Sequence, residues 1–148
     1  MNQLLLVVRI AGQRVAMPTA RIESVVELDT LIPVPRAAGH IAGLSALRSR
    51  VLTVICCRRS LGLVVAPEEL NGVLEAAVTE VDGHHYALIV DGVEDVLEAL
   101  GDTTPVRAAM AEGWERVSAG MVETEEGALL LVDVERLVAG PDATRQAA

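Results

Sequence analysis

Hydrophobic and polar positions along the chain alternate in short runs that are typical of β-strands. The apolar runs are rich in Val, Leu and Ile, and turn-forming residues such as Gly and Asp lie between them. Two runs joined by two or three such residues indicate an antiparallel hairpin. Four hairpins are predicted, with paired strands at residues 4–10 and 14–17, 41–47 and 50–56, 72–81 and 84–90, and 117–124 and 128–134. The chain is therefore expected to be all-β, built as one or two small barrels.

The turns of these hairpins differ in how well their residues suit them. Asp82-Gly83 is a strong signal for a two-residue turn, and Gly12 can supply the positive φ that the first turn requires. The turn at residues 48–50 has Ser49 where glycine would adopt a left-handed conformation more easily. We expect Ser49 either to adopt a left-handed conformation or to change the type of turn, at a cost of about 1 kcal/mol in both cases.

Helix is predicted at few places. After Pro18, a favourable first-turn residue, Ile22, Val25 and Val26 fall on one helical face, which predicts a helix of about two turns over residues 19–27. Shorter helical turns are predicted at residues 58–61, 93–97 and 134–138. Three further segments are predicted to be neither helix nor paired strand. They are an extended segment at residues 32–35, a loop at residues 101–111 and a frayed tail after Ala139.

The composition narrows the class of protein. The 148 residues are enough to bury a core without cross-links. Hydrophobic residues make up 51% of the chain, but Trp114 and Tyr86 are its only aromatic residues, so the core must be aliphatic. No apolar stretch reaches the roughly 18 residues that a membrane span needs, and the N-terminal segment does not resemble a signal peptide. These features predict a cytoplasmic protein with reduced cysteines.

Charge is distributed unevenly along the chain, whose net charge is −9. Residues 1–66 contain eight Arg and three acidic residues, net +5, whereas residues 67–148 contain four Arg and eighteen acidic residues, net −14. An acidic chain without lysine or aromatic stacking residues does not fit a nucleic-acid-binding protein. The distribution suits protein partners that recognise oppositely charged surfaces, although charged runs are also commonly solvated faces.

The two adjacent cysteines are the first candidates for chemistry. Consecutive strand residues point to opposite faces, so Cys56 and Cys57 cannot both line one metal site. Arg58 and Arg59 could lower a thiol pKa, which keeps a thiol or redox function open as an alternative. Among Val, Leu and Ile, however, cysteine usually behaves as a small buried hydrophobic residue.

Metal and catalytic motifs are not evident. His84 and His85 also point to opposite faces, and His40 lies apart from other potential ligands. The acidic residues in 90–102 lack the spacing of a calcium-binding loop. With no phosphate-binding glycine loop and no nucleophile-and-base set, the chain is expected to be a non-enzyme without a metal or a cofactor.

Gly43 and Arg48 stand out in the second hairpin. A glycine within a strand pattern predicts a bulge or a close approach of another backbone. Arg48 at the hairpin tip can donate several hydrogen bonds to a carboxylate of a partner.

Four segments, in order, resemble the CheW-like domain of bacterial chemosensory adaptors. They are RIAGQRVAMPTARIESVVEL, IPVPRAAGHIAGLSALRSRVLTVICCRRSLGL, VDGHHYALIVDGVEDVL and LLLVDVERLV. The resemblance runs from about Leu4 to Val138 and implies two packed five-stranded SH3-like β-barrels with one or two short helices. It also implies a single domain at residues 1–140, followed by a flexible tail at residues 141–148.

The resemblance further implies a non-catalytic scaffold. Members of the family link the cytoplasmic tip of a methyl-accepting chemoreceptor to the regulatory domain of a CheA-type histidine kinase. The family segment Gly-x-x-Asn-Leu-Arg-Gly aligns with the second hairpin, and the end of the predicted helix aligns with a receptor-binding groove. The receptor-binding set implied by the resemblance is Val25, Glu27, Gly43, Leu47 and Arg48.

Some residues depart from the family pattern. Ala46 and Ser49 replace the asparagine and the second glycine, and Cys56 replaces an aspartate at the end of the following strand. A divergent family member in a pilus-motility or other non-flagellar array is therefore one alternative function. A small-molecule carrier that uses a barrel interior is another, although side chains usually fill barrels this small.

Overall fold

The structure is a computed structural model and describes residues 3–141. Its strands are β1 (Leu4–Ile10), β2 (Gln13–Pro18), β3 (Ser24–Leu28), β4 (Ile41–Leu47), β5 (Arg50–Cys56), β6 (Leu74–Val81), β7 (His84–Ile89), β8 (Gly92–Glu98), β9 (Ser118–Thr124) and β10 (Gly127–Val132). The α-helices are α1 (Cys57–Ser60), α2 (Glu112–Val117) and α3 (Val134–Ala139), and the 3₁₀ turns are Thr19–Arg21 and Pro67–Leu70.

The strands form two five-stranded sheets with the same plan. The first, here called barrel one, has the order β8-β1-β2-β10-β9, and the second, barrel two, has the order β3-β6-β7-β5-β4. In each, two antiparallel hairpins are joined through one parallel pair, β2 with β10 and β5 with β7. The predicted fold of two packed five-stranded barrels is confirmed.

Both sheets curl until their edge strands approach each other. In barrel two, Ile32, shortly after β3, forms an antiparallel bridge with Leu44 of β4. In barrel one, Thr104, shortly after β8, forms a bridge with Met121 of β9. These bridges give partners to strand edges that would otherwise be exposed.

All four predicted hairpins are present. The Asp82-Gly83 turn has φ of 52° and 82°, and Gly12 has φ of 79°, the left-handed values expected from the sequence. The predicted helical turns at residues 58–61 and 134–138 correspond to α1 and α3, and residues 101–111 form a loop as expected. The predicted frayed tail falls mostly at residues 142–148, outside the described residues.

Two helix predictions are wrong. Within residues 19–27 only a short 3₁₀ turn forms, and Ser24–Leu28 is the strand β3, which pairs with β6. Residues 93–97 lie in β8, which pairs with β1 along its length. Both segments contain β-branched residues and form hydrogen-bonded pairs with a neighbouring strand. This strand pairing outweighs a short helical pattern. The helix α2 was not predicted.

Three clusters of buried aliphatic residues form the core. One cluster lies in barrel one and one in barrel two. The third is shared by the barrels and includes Val8 and Met17 from barrel one and Ile55 and Leu88 from barrel two, all fully buried. The barrels are therefore held together by continuous apolar packing. No helix in residues 3–141 is long and apolar enough to cross a membrane.

Candidate functional site

The tip of the β4–β5 hairpin presents an arginine to solvent. Leu47 pairs with Arg50, and the two residues between them, Arg48 and Ser49, have φ of 50° and 68°. Positive φ at both central residues is the geometry of a type I′ turn. Arg48 is exposed and forms no ion pair within the described part of the chain. Its guanidinium group is thus available to an acidic partner.

Gly43 shapes the strand that leads to this tip. A Cβ atom at Gly43 would lie 2.7 Å from the carbonyl oxygen of Ile32, and the register of β4 shifts between Ile41 and Gly43. The backbones of Ile32 and Leu44 also exchange two hydrogen bonds of 2.8 Å. Both expectations for Gly43, a bulge and a close backbone approach, are confirmed. Because Gly43 is buried, it can affect binding only through the shape of the strand.

A cavity of about 190 Å³ lies between the hairpin tip and the beginning of β3. Leu47 and Arg48 line it from the hairpin, and Glu23 and Ser24 line it from the chain entering β3. An ion pair of 3.1 Å between Arg50 Nη1 and Glu23 Oε2 connects the two sides. Two of the predicted site residues therefore share one cavity.

Val25 and Glu27 extend the candidate site along the edge strand β3, instead of lying at the end of a helix as expected. They are two residues apart, so both point to the same face, and both are exposed. Glu27, however, lines a second cavity of about 290 Å³, with Arg58 and Glu69. The five predicted residues thus do not form one compact site.

The second cavity is lined by residues of barrel two and of the segments that connect β5 to β6 and β7 to β8. Arg58 contacts Glu69 at 3.3 Å and Asp91 at 3.9 Å. The Glu69 carboxylate accepts a hydrogen bond from the backbone N–H of Ala66, and this bond, together with Arg58, lowers its pKa. Asp91 accepts a hydrogen bond of 3.0 Å from the backbone N–H of Gly12 in barrel one. The hydrogen bond from Gly12 thus joins the turn between β1 and β2 of barrel one to the segment between β7 and β8.

Neither cysteine has the surroundings of a reactive thiol. Cys56 and Cys57 are both buried, and burial raises the pKa of Cys57 far above its ordinary value, with smaller effects from Cys56 and Asp91. The two arginines that follow are engaged by other groups: Arg58 contacts Glu69, and Arg59 Nη2 donates to the carbonyl oxygen of Val65 at 2.7 Å. The thiol or redox alternative is therefore not favoured.

The histidines lie in three different environments. His84 is exposed, whereas buried His40 has its Nε2 2.8 Å from the carbonyl oxygen of Val138. His85 is only 20% exposed, and its Nε2 lies 3.2 Å from Glu23 Oε1 and 3.2 Å from Glu80 Oε2. Sequence reasoning missed this cluster of three side chains. The predicted two-residue turn at Asp82-Gly83 implies that Glu80 lies opposite His85, as it does in the structure. No signal in the sequence indicates that Glu23 lies beside them.

The barrel interiors offer little space for a ligand. Aliphatic side chains of the described residues fill both of them, including Leu5 and Val122 in barrel one and Leu52 and Val54 in barrel two. The carrier alternative therefore has no support from the packing.

Comparisons with known proteins agree with this architecture. A model of the CheW-like domain family matches residues 4–141. A chemotaxis protein CheW from Thermotoga maritima is 24% identical over 126 residues, which are 85% of this chain and 81% of that protein. The crystal structure of the scaffolding protein TtCheW from Thermoanaerobacter tengcongensis superposes with a TM-score of 0.74 at 18% identity, covering 93% of this chain and 88% of that one.

The family match covers both barrels, the candidate hairpin and the edge strand beside it, and the resemblance seen in the sequence is thereby confirmed. The chain belongs to the CheW-like domain family.

Proposed function

We propose that this chain is a non-enzymatic adaptor of bacterial chemosensory signalling, acting in the cytoplasm. In this role it binds the cytoplasmic tip of a chemoreceptor and the regulatory domain of a CheA-type histidine kinase. The observation that carries the proposal is the family match over residues 4–141, which includes both barrels. The similar protein from Thermotoga maritima is a chemotaxis protein, and the similar solved structure is of a scaffolding protein.

The receptor-binding surface in this proposal is the β4–β5 hairpin tip and the exposed face of β3. Arg48 offers several donors to carboxylates, and the adjacent cavity can accept an apolar side chain against Leu47. Val25 is 43% exposed on the neighbouring edge and supplies further apolar surface. A helical receptor tip with acidic and apolar residues has the chemistry that fits this surface.

The kinase-binding surface in this proposal is apolar and lies on a different part of the molecule. Leu4 and Val96, on the neighbouring strands β1 and β8 of barrel one, and Leu100 after β8 are each more than half exposed. Exposed apolar side chains in neighbouring positions are a usual feature of protein interfaces. Because these residues lie on barrel one, the kinase and the receptor would bind different barrels.

The proposal is tested by titrating the purified protein with the receptor tip and with the kinase regulatory domain from the same genome. Binding to both is expected, with dissociation constants no weaker than tens of micromolar, a range typical of weak specific complexes. If neither partner binds at such concentrations, the adaptor function is refuted.

We predict that Arg48→Glu weakens receptor binding at least about tenfold, because the substitution places a negative charge opposite the receptor carboxylates. Kinase binding and the melting temperature are expected to change little, since the Arg48 side chain is exposed at a turn. The measurement is calorimetric titration of both partners, with melting followed by circular dichroism.

The matched control is Arg107→Glu, which makes the same charge change in the exposed loop after β8. Equal weakening of receptor binding by both variants would mean that only net charge matters. A large fall in melting temperature for Arg48→Glu would assign Arg48 a structural role instead.

A further inference from the structure

The cluster of Glu23, Glu80 and His85 has the composition and spacing of a metal site. We propose that these three side chains bind a divalent transition-metal ion of the Zn²⁺ type, leaving one coordination position open to solvent. The three donor atoms lie within 4.8 Å of one another. The proposal is independent of the adaptor function, because it is tested by metal binding with no protein partner present.

The distances around the imidazole match those of a tetrahedral ion. Zn²⁺ binds histidine nitrogen and carboxylate oxygen at about 2.0–2.2 Å, so two donors at the tetrahedral angle lie about 3.3 Å apart. His85 Nε2 lies 3.2 Å from Glu23 Oε1 and 3.2 Å from Glu80 Oε2. Both carboxylates are partly exposed, and the terminal torsion of glutamate is broad. They can therefore complete the triangle around an ion without moving the backbone.

The backbone holds all three residues in adjoining strands. Glu80 and His85 lie directly opposite each other in the β6–β7 ladder, so their side chains share one face of the sheet. The backbone N–H of Glu23 donates to the carbonyl oxygen of Val78 at 2.7 Å, which fixes Glu23 beside β6. The ligands thus come from three neighbouring, hydrogen-bonded chain segments.

A second layer of contact orients one of the carboxylates. Arg50 Nη1 lies 3.1 Å from Glu23 Oε2, while Glu23 Oε1 faces the imidazole. An arginine on the outer oxygen is the kind of outer contact that orients a metal-binding carboxylate. It also places the site next to the hairpin of Arg48, although the metal contacts do not involve that residue.

The ligand set selects the class of metal. An imidazole nitrogen with two carboxylates suits Zn²⁺ and related transition-metal ions, whereas Ca²⁺ and Mg²⁺ prefer oxygen ligands alone. The thiols of Cys56 and Cys57 are buried and do not compete for the ion in the folded protein.

The test is calorimetric titration of the full chain with Zn²⁺ at pH 7.5, repeated with Ca²⁺. Wild type is expected to bind one Zn²⁺ and to show no comparable binding of Ca²⁺. His85→Ala and Glu80→Gln should each weaken Zn²⁺ binding at least about tenfold, since loss of an outer-shell partner alone typically costs 10- to 100-fold in affinity. Co²⁺ in place of Zn²⁺ should give the visible absorption of a four-coordinate site, and this absorption should be lost in both variants.

His84→Ala is the matched control, because His84 is the neighbouring histidine and is exposed on the other face of the same strand. It is expected to keep wild-type affinity. If His84→Ala weakens binding as much as His85→Ala, or if wild type binds Zn²⁺ no better than Glu80→Gln, the cluster is an ion-paired triad only and the proposal is overturned. Glu80→Gln is nearly isosteric at an exposed position, so it decides the question even if His85→Ala does not fold.

Discussion

Single residues at the β4–β5 hairpin tip set the geometry of the proposed receptor site. Arg48 and Ser49 both have left-handed φ values, although neither is glycine. Such a conformation costs an L-residue about 1–2 kcal/mol, so the ladder on either side must hold the turn in place. The position of the turn followed from the hydrophobic pattern. Its backbone strain was expected from Ser49 at a site where the family pattern has glycine.

Ser49→Gly is therefore predicted to raise the free energy of unfolding by about 0.5–1 kcal/mol, because the relief of strain exceeds the extra freedom that glycine gives the unfolded chain. Urea denaturation measures the change. The control is Ser118→Gly, at a position with φ of −73°, where glycine should destabilise the fold. A loss of stability in both variants would contradict the strain at Ser49.

Burial makes the two adjacent free cysteines unreactive. The pKa of Cys57 is raised mainly by desolvation, so the reactive thiolate form is strongly disfavoured at neutral pH. We predict that a water-soluble thiol reagent labels neither Cys56 nor Cys57 in the folded protein and labels both after denaturation, as counted by mass spectrometry. Rapid labelling of either thiol in the native state would restore the thiol hypothesis.

Individual elements show where sequence patterns were sufficient and where they were not. Hairpins were predicted well because their turns and strand alternation are local signals. The strands β3 and β8 were mistaken for helical turns because each is a sheet edge whose partner is distant in the sequence. For the same reason, the cluster of Glu23 with His85 could not be seen in the sequence, since it depends on the β3–β6 pairing.

Ion pairs connect three strands of barrel one, β1, β2 and β8, with the turn between β9 and β10, and they should respond to pH. The hydrogen bond from Arg9, and to a smaller extent the one from Arg14, holds the pKa of Glu94 below its ordinary value of 4.5. A carboxyl group with a lowered folded-state pKa stabilises the fold above pH 4.5, and this contribution disappears as the pH falls through the lowered value. Arg14 also contacts Glu126, in the turn before β10. Its hydrogen bonds to Glu94 and to Glu126 raise the pKa of Arg14.

Glu94→Gln is accordingly predicted to lower the melting temperature at pH 7 and to match wild type at a pH well below 4.5. Melting curves over a pH series measure the difference, which should shrink in high salt because the pairs are exposed. Glu98→Gln on the same strand is the control for loss of charge. If the two variants follow the same pH dependence, the arginine contacts of Glu94 do not stabilise the fold.

For the whole molecule, the fold brings part of the basic first half of the sequence against part of the acidic second half. Arginines of the basic first half pair with acidic residues of the second half, as in Arg9 with Glu94, Arg21 with Glu135 and Arg58 with Asp91. Two separate faces of opposite charge therefore do not follow from the sequence halves. The aliphatic core, in contrast, was predictable from composition, because few aromatic residues were available to fill it.

The order of strands in the two barrels has a consequence for synthesis on the ribosome. Strands β3 to β7 are consecutive, so barrel two has all its strands once residue 89 has been made. Barrel one takes β1 and β2 from one end of that segment and β8 to β10 from the other. The β1 edge of its first hairpin stays unpaired until β8 is complete at residue 98, and the β2 edge stays unpaired until β10 is complete at residue 132. During that interval the nascent chain is most exposed to wrong pairing.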